Sequence, residues 1–138
     1  MSKKKETEYP VTQEQFEEYV EHVGWFVTFF GLTDWRIEFR HEDYENSRGF
    51  CEFSLTARHA NIGLTKKMDI PVTTELLRAV AFHETMELQL ANMSMLALNR
   101  DATRDSWEEE THKVIRRLEN CVLPMIVGLY MGDEEEEE

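Results

Sequence analysis

The residues best suited to chemistry in this chain form one short run, His83-Glu84-Thr85-Met86-Glu87. Two histidines at positions i and i+4 of a helix, with a glutamate between them, have the spacing that a catalytic zinc site needs. Here the first of these positions is His83 and the second is Glu87, so the second ligand of such a site is a carboxylate. The run therefore predicts a rearranged metal site, provided that other residues complete it.

Two interpretations of His83 and Glu87 need no metal. The two residues could form a surface ion pair, which contributes roughly 0.2–0.5 kcal/mol, or a buried hydrogen-bonded pair. At about 100° per residue, the helical period puts both on the apolar side of their helix, with Glu84 at its margin. Four polar residues are predicted to form the opposite, solvent-facing side: Arg78, Thr85, Gln89 and Asn92. This placement argues against the surface pair.

A catalytic zinc has three protein ligands, so a third must come from another element. The next predicted helix carries His112 at the edge of its apolar stripe. Helices joined by a short break usually pack antiparallel, which would bring His112 back to the level of His83 and Glu87. The predicted ligand set is therefore His83, Glu87 and His112. Glu108, one turn from His112, could replace it or fix its tautomer, and a solvated histidine is the alternative interpretation of His112.

The elements that must position these residues follow from the hydrophobic periodicity. A helical period from Thr12 to Phe30, ended by Gly31, is followed by three stretches of alternating residues that predict an antiparallel three-stranded sheet. Two further helices follow, each with a hydroxyl residue available as its cap. The predicted order is helix, sheet, helix, helix, which is α+β. The predicted bounds are 35–40, 49–57 and 60–65 for the strands, 73–98 for the helix that carries the motif, and 103 or 106 to at most Pro124 for the last helix.

Together these features resemble a known family. His83-Glu84-x-x-Glu87 on a helix after a small sheet, with the segment from His112 to Asn120 on the next helix, is similar to the short zincin-like metallopeptidases of phages and bacteria. These are distant relatives of the SprT-like and gluzincin proteases. The resemblance extends from Thr12 to Val122. In that family the helix carries HExxH and the next helix supplies a glutamate near the position of His112, so in this chain the two ligand types are exchanged.

The resemblance implies a fold, an activity and roles for residues. It implies one zincin-like domain over 11–131 and hydrolysis of a peptide bond, with zinc polarising the carbonyl and Glu84 as general base. The strand at 60–65 would be the sheet edge that binds an extended peptide. Three residues are candidates to donate to the oxyanion: His59, Tyr44 and Tyr130. Iron or manganese could replace zinc at such ligands, and an inactive relative could keep the metal as a scaffold for a partner protein.

Charge and composition bear on two other possible functions, nucleic-acid binding and mimicry of DNA. The 138 residues carry a net charge of −13, but the last six acidic residues account for six of these charges, which leaves the body moderately acidic. We predict disorder in the basic segment 1–10 and in the acidic tail 132–138. The body has no basic patch, so nucleic-acid binding is not expected. Mimicry of DNA by an acidic phage-type protein is the least favoured alternative, because it leaves His83 and Glu87 unexplained.

Location and assembly are predicted from the remaining features. Nothing near the start resembles a leader for export, which predicts a cytoplasmic protein, and Cys51 and Cys121 are then expected to be reduced thiols. The apolar run 121–131 is far shorter than the roughly 20 residues of a membrane span. We expect this run to pack onto the core or to form a homodimer interface, since it would otherwise leave a large exposed apolar patch.

Overall fold

The computed structural model of the protein describes residues 7 to 135, with side chains as far as Leu129. The parts of the predicted disordered ends at 1–6 and 136–138 lie outside these residues. A two-residue strand and one helix come first, four consecutive strands follow, and three helices come last, which confirms the α+β class in its coarse form. The elements are β1 (Tyr9–Pro10), α1 (Gln13–Phe29), β2 (Arg36–Glu42), β3 (Gly49–Ser54), β4 (His59–Thr65), β5 (Lys67–Met68), α2 (Thr74–Gln89), α3 (Ala91–Leu98) and α4 (Arg104–Glu135).

Helix α1 forms where its periodicity predicts it. The Thr12 side chain accepts a hydrogen bond from the Gln15 backbone N–H, and the Gln15 side chain accepts one from the Thr12 N–H, so the first turn is closed by a capping box. The buried face carries Tyr19 and Val23. Gly31 follows the helix with a φ of +70°, a conformation that glycine adopts without a steric penalty.

The three-stranded sheet is mixed, which corrects the prediction of an antiparallel sheet. Its strand order is β2-β4-β3, with β2 parallel to β4 and β3 antiparallel to β4. A short turn joins β3 to β4 and makes that pair antiparallel, whereas the segment 43–48 carries the chain past β4 before β3 begins. Strand β4 is therefore the central strand, and the prediction that 60–65 forms the exposed edge is wrong. The edge strands of this sheet are β2 and β3.

Two very short strands form a second sheet. Tyr9 and Pro10 pair antiparallel with Met68 and Lys67, and the Val11 backbone N–H donates to the Lys66 carbonyl at 2.7 Å. This pairing corrects the prediction that all of residues 1–10 are disordered. Two-residue strands are too short to show an alternating period, so the sequence pattern could not reveal them.

The helices after the sheet also differ from the predicted bounds. The helix predicted to reach Leu98 is interrupted at Leu90, which divides it into α2 and α3. Helix α4 continues through Pro124 and includes residues 132–135, so the predicted end at Pro124 and the predicted disorder at 132–135 are both corrected. A proline inside a helix removes one backbone hydrogen bond and crowds the carbonyl four residues earlier, so α4 contains Pro124 at a cost in stability. None of the described helices combines the length and the apolarity that a membrane span requires.

The core lies between α1, α2 and the sheet. Helix α2 packs along α1 on one side and against β3 on the other. Strand β4 contributes Ala60, Ile62 and Leu64 to the buried centre, and α2 contributes Leu77, Ala81 and Leu88. The second half of α2, which carries the predicted motif, is thereby fixed directly beneath the edge strand β3.

Candidate metal centre

Three side chains of the predicted motif meet on α2. The helix begins at its cap residue Thr73, whose side chain accepts from the Leu76 N–H, and reaches His83, Glu84 and Glu87 in its last two turns. One ligand atom from each of these three residues lies within 4.8 Å of the other two. One imidazole and two carboxylates at this separation could hold a divalent metal ion.

Glu84 is buried and incompletely hydrogen-bonded. Its side chain is only 4% exposed, and among the described residues its Oε2 has no hydrogen-bond partner. Leaving a buried polar group unpaired costs about 1–3 kcal/mol, and more for a charge. A cation or a hydrogen-bond donor bound beside Glu84 would remove this cost.

Gly49, the first residue of β3, allows the strand to lie close to this part of α2. A Cβ atom added at Gly49 would lie 2.8 Å from Val80 Cγ1, 2.9 Å from the Gly63 carbonyl oxygen and 3.3 Å from Glu84 Cγ. Real Cβ atoms do not approach other heavy atoms as closely as the first two distances. The missing side chain of Gly49 is thus what lets β3 cover Glu84.

The electrostatics of the cluster follow from this burial. Desolvation, together with the neighbouring Glu87 carboxylate and a hydrogen bond to it, raises the pKa of Glu84 to about 8. Burial, with Glu84 as a further cause, also raises the pKa of the Cys51 thiol to about 12 and that of the Tyr19 hydroxyl far above its usual range. The Tyr19 hydroxyl donates instead to the Gly63 carbonyl at 3.0 Å. Cys51 and Tyr19 are therefore protonated neighbours of Glu84.

His83 and Glu87 lie at the rim of the site, which corrects the predicted buried placement. Their side chains are 70% and 49% exposed, and His83 Nε2 lies 3.4 Å from Glu87 Oε1. Thr85 and Gln89, predicted to face solvent, are buried. Helix α2 is covered by α1 as well as by β3. The Thr85 hydroxyl donates to the Ala81 carbonyl at 2.7 Å, so this polar residue can be buried with its hydrogen bond satisfied.

The structure does not bring His112 to the cluster. His112 is exposed on α4, and in the described chain it belongs to no group of three or more possible ligands. The helix α3 intervenes between α2 and α4, and α4 packs against α3. Glu108 is not part of the cluster either. Its carboxylate accepts a hydrogen bond from the Arg104 Nε of the same helix at 3.3 Å.

A cleft of about 450 Å³ opens beside His83 and Glu84. It lies between α2 and the segment 46–49, and Arg48, which the sequence analysis did not select, is part of its wall. Tyr44 and His59, two of the predicted oxyanion donors, do not line it, and the side chain of Tyr130 lies outside the described residues. A larger depression of about 890 Å³ borders β1 and β5 but contains no member of the cluster, so we assign the chemistry to the smaller cleft.

Comparison with known proteins gives no further guide: no model of a known family, no curated protein and no solved structure matches this chain. Any functional conclusion therefore depends on the chemistry of the cluster. A buried carboxylate with a raised pKa, a second carboxylate and an imidazole around one point form a set that could bind a metal ion or exchange a proton with a bound molecule.

Proposed function

We propose that the protein is a metal-dependent peptidase in which His83 and Glu87 are two of the zinc ligands and Glu84 is the general base. The observation that carries the proposal is the buried Glu84 carboxyl, which has an unpaired oxygen and lies within 4.8 Å of both His83 and Glu87. Two carboxylates cannot both stay charged at this distance without a proton or a cation between them. A divalent cation bound to His83 and Glu87 would offset the charge of both carboxylates and leave Glu84 beside it as a base.

The donor set is chemically suited to zinc, which accepts imidazole nitrogen and carboxylate oxygen. Iron and manganese accept the same donors, so the identity of the ion is a matter for measurement. When bound, zinc supplies a Lewis acid and a water molecule of lowered pKa. The exposed rim position of His83 and Glu87 leaves both side chains accessible to solvent, and His83 also lines the cleft.

Glu84 has the properties that proton transfer requires. With a pKa of about 8, its carboxyl can hold or release a proton near neutral pH. Glu84 lines the same cleft as His83, where a substrate would lie. In the proposed reaction Glu84 takes a proton from water and returns it to the leaving amine.

The edge strand β3 is the element that could hold a peptide. In the described sheet β3 pairs with β4 along one edge, and no strand covers its other edge. An extended peptide can add to such an edge through backbone hydrogen bonds. Because Gly49 of β3 lies against Glu84, a peptide that adds there passes the cluster.

A second function is favoured by a specific observation, namely that Glu84 lies close enough to be a metal ligand itself. If it binds the ion together with His83 and Glu87, no free base is left and the metal stabilises α2 against β3. The protein would then be a metal-stabilised scaffold for a partner protein. Loss of the Glu84 carboxylate should abolish cleavage if the protein is a peptidase, and should weaken metal binding if it is a scaffold.

Elemental analysis of protein purified without a chelating tag tests the metal site. We expect about one zinc per chain in the wild type, and loss of it in His83→Ala and in Glu87→Ala. The chain provides a matched control, since His22 and Glu18 form a second histidine–glutamate pair of the same spacing, 3.2 Å apart, on α1. His22→Ala should keep the metal. A wild-type protein without metal would end both proposals.

The Glu84→Gln variant separates peptidase from scaffold. For a peptidase, we expect it to keep its metal and to lose cleavage of unfolded protein substrates by a factor of about 100 or more, within the range attributed to general-base catalysis. For a scaffold in which Glu84 is a ligand, the variant should lose metal, and the wild type should cleave no substrate.

A further inference from the structure

We propose that Arg48 binds a carboxylate of the substrate beside the metal centre. This inference deepens the proposed peptidase and names its substrate class: peptides with a carboxylate, either at the C-terminus or on an acidic side chain, close to the bond that is cleaved. It rests on the proposed function for the reaction but not for the binding, which can be measured without turnover.

The segment that carries Arg48 is held in place at several points. The Arg48 guanidinium donates to Asp69 through Nε at 2.9 Å and through a terminal nitrogen at 3.1 Å, and the Thr65 backbone N–H donates to the Arg48 carbonyl at 2.9 Å. Ser47 donates to the Gly49 carbonyl, and Asn46 adopts a φ of +62°, which few residues other than glycine adopt. A guanidinium fixed in this way binds a ligand at a lower entropic cost.

Asp69 leaves one side of the guanidinium free. The group has five N–H donors in one plane, and Asp69 uses the side formed by Nε and one terminal nitrogen. The end formed by the two terminal nitrogens makes no other hydrogen bond within residues 7 to 135. That end has the geometry to bind both oxygens of a second carboxylate.

Arg48 and Glu84 line the same cleft. Of the described residues that line it, Arg48 is the only lysine or arginine, so it is the residue of this cleft that could pair with an anionic group. The cleft is about 450 Å³, within the size range of small-ligand sites. Glu84, which is only 4% exposed and has one oxygen without a hydrogen-bond partner in the described residues, is also part of the wall of this cleft.

The test is a binding measurement with three fluorescently labelled tripeptides: alanines with a free C-terminus, the same peptide as its amide, and an amide with Asp at the last position. The full chain is used in two forms that do not turn over substrate, zinc-loaded Glu84→Gln and wild type stripped of zinc. We expect at least one carboxylate peptide to bind tenfold or more tightly than the amide. In Arg48→Gln this ratio should fall below twofold while the affinity for the amide is unchanged.

The controls separate Arg48 from the other contributors. Arg36→Gln removes an exposed arginine of β2 that does not line the cleft, and it should keep the preference. Whichever carboxylate peptide shows the Arg48-dependent preference identifies the source of the carboxylate. A preference that persists in Arg48→Gln, or no preference in the wild type, would overturn the proposal. Absence of cleavage by the wild type would end the peptidase but leave this binding result intact.

Discussion

Glu84 combines three properties that a residue in an ordinary core would not have together. It is a carboxyl group that is 96% buried, it faces a second carboxyl, and one of its oxygens is unpaired in the described residues. Each property costs folding free energy, since burial disfavours the charge and a neighbouring carboxylate disfavours it further. A residue of this kind is therefore retained at the expense of stability, which is typical of residues that serve a site.

The metal-free protein should lose stability as pH rises, because of Glu84. The pKa of Glu84 is near the ordinary carboxyl value in the unfolded chain and about 8 in the folded one. Between these two values the folded protein holds a proton that the unfolded chain has released, so the free energy of unfolding falls as pH rises towards 8. Urea unfolding in the presence of a chelator, at intervals from pH 5 to 9, measures this.

Glu84→Gln provides the comparison for that experiment. The amide does not titrate, so we expect the variant to become more stable relative to the wild type as pH rises, with the difference levelling off above pH 8. Added zinc should stabilise the wild type more at pH 8 than at pH 6, since the ion replaces the proton. If the free energies of unfolding of the two proteins differed by the same amount from pH 5 to 9, the pKa of Glu84 would not be raised by folding.

His112 is the predicted ligand that the structure leaves outside the cluster, and a single variant decides its role. Since His112 is exposed on α4 and away from His83 and Glu87, we expect His112→Ala to keep the zinc content and zinc affinity of the wild type. Titration with a competing chelator measures the affinity. A loss of tenfold or more would mean that α4 moves to the cluster when metal binds, as the predicted three-ligand site requires.

At the scale of elements, the contact between β3 and α2 determines the geometry of the site. We expect Gly49→Ala to destabilise the protein by about 1–3 kcal/mol, because the added methyl group must push Val80 or the Gly63 backbone away. Zinc affinity should fall too, since Glu84 lies at the same contact. Gly24→Ala is the matched control: nothing lies within 4 Å of its Cβ position in α1, so this change should stabilise the helix by about 0.5–1 kcal/mol.

Local pattern was sufficient to predict α1 and the three longer strands, but not how these elements pack. The period of three and four residues predicted α1, and the period of two predicted β2, β3 and β4 close to their observed bounds. The order of strands depends on the path of the segment 43–48, which has no period. Pro124 shows the same limit at a helix end, because a local rule for proline predicted a stop that the structure does not have.

The motif itself could be predicted, but its orientation could not. His83, Glu84 and Glu87 lie together because a helix fixes their spacing, and the sequence was sufficient for that. Helix α2 carries apolar residues on most of its surface, with Phe82 and Leu90 partly exposed and Thr85 buried, so the period alone does not reveal which side is covered. Arg48 and Gly49 belong to the site only through packing between distant segments, which a single sequence does not encode locally.

At the scale of the whole molecule, α4 from Ile115 onward carries apolar side chains that remain exposed in the described residues. Its exposed apolar side chains are Ile115, Leu118, Leu123, Met125, Ile126, Val127 and Leu129. Cys121 and Val122 contact the core, so α4 is attached to the body along one side only. Patches of this kind on a soluble protein usually mark an interaction surface.

We expect this surface to form a homodimer, which is one of the two arrangements that the sequence left open. Ile115, Leu118, Met125 and Leu129 recur at steps of three, seven and four residues, the spacing with which two helices pack side by side. The double variant Met125→Glu with Leu129→Glu places charges in that stripe and should convert a dimer to a monomer in sedimentation velocity, with unchanged helix content. Leu98→Glu is the control, since Leu98 is 81% exposed on α3, away from the stripe, and should leave the dimer intact. A wild-type chain that is monomeric at all concentrations would assign the surface to a different partner.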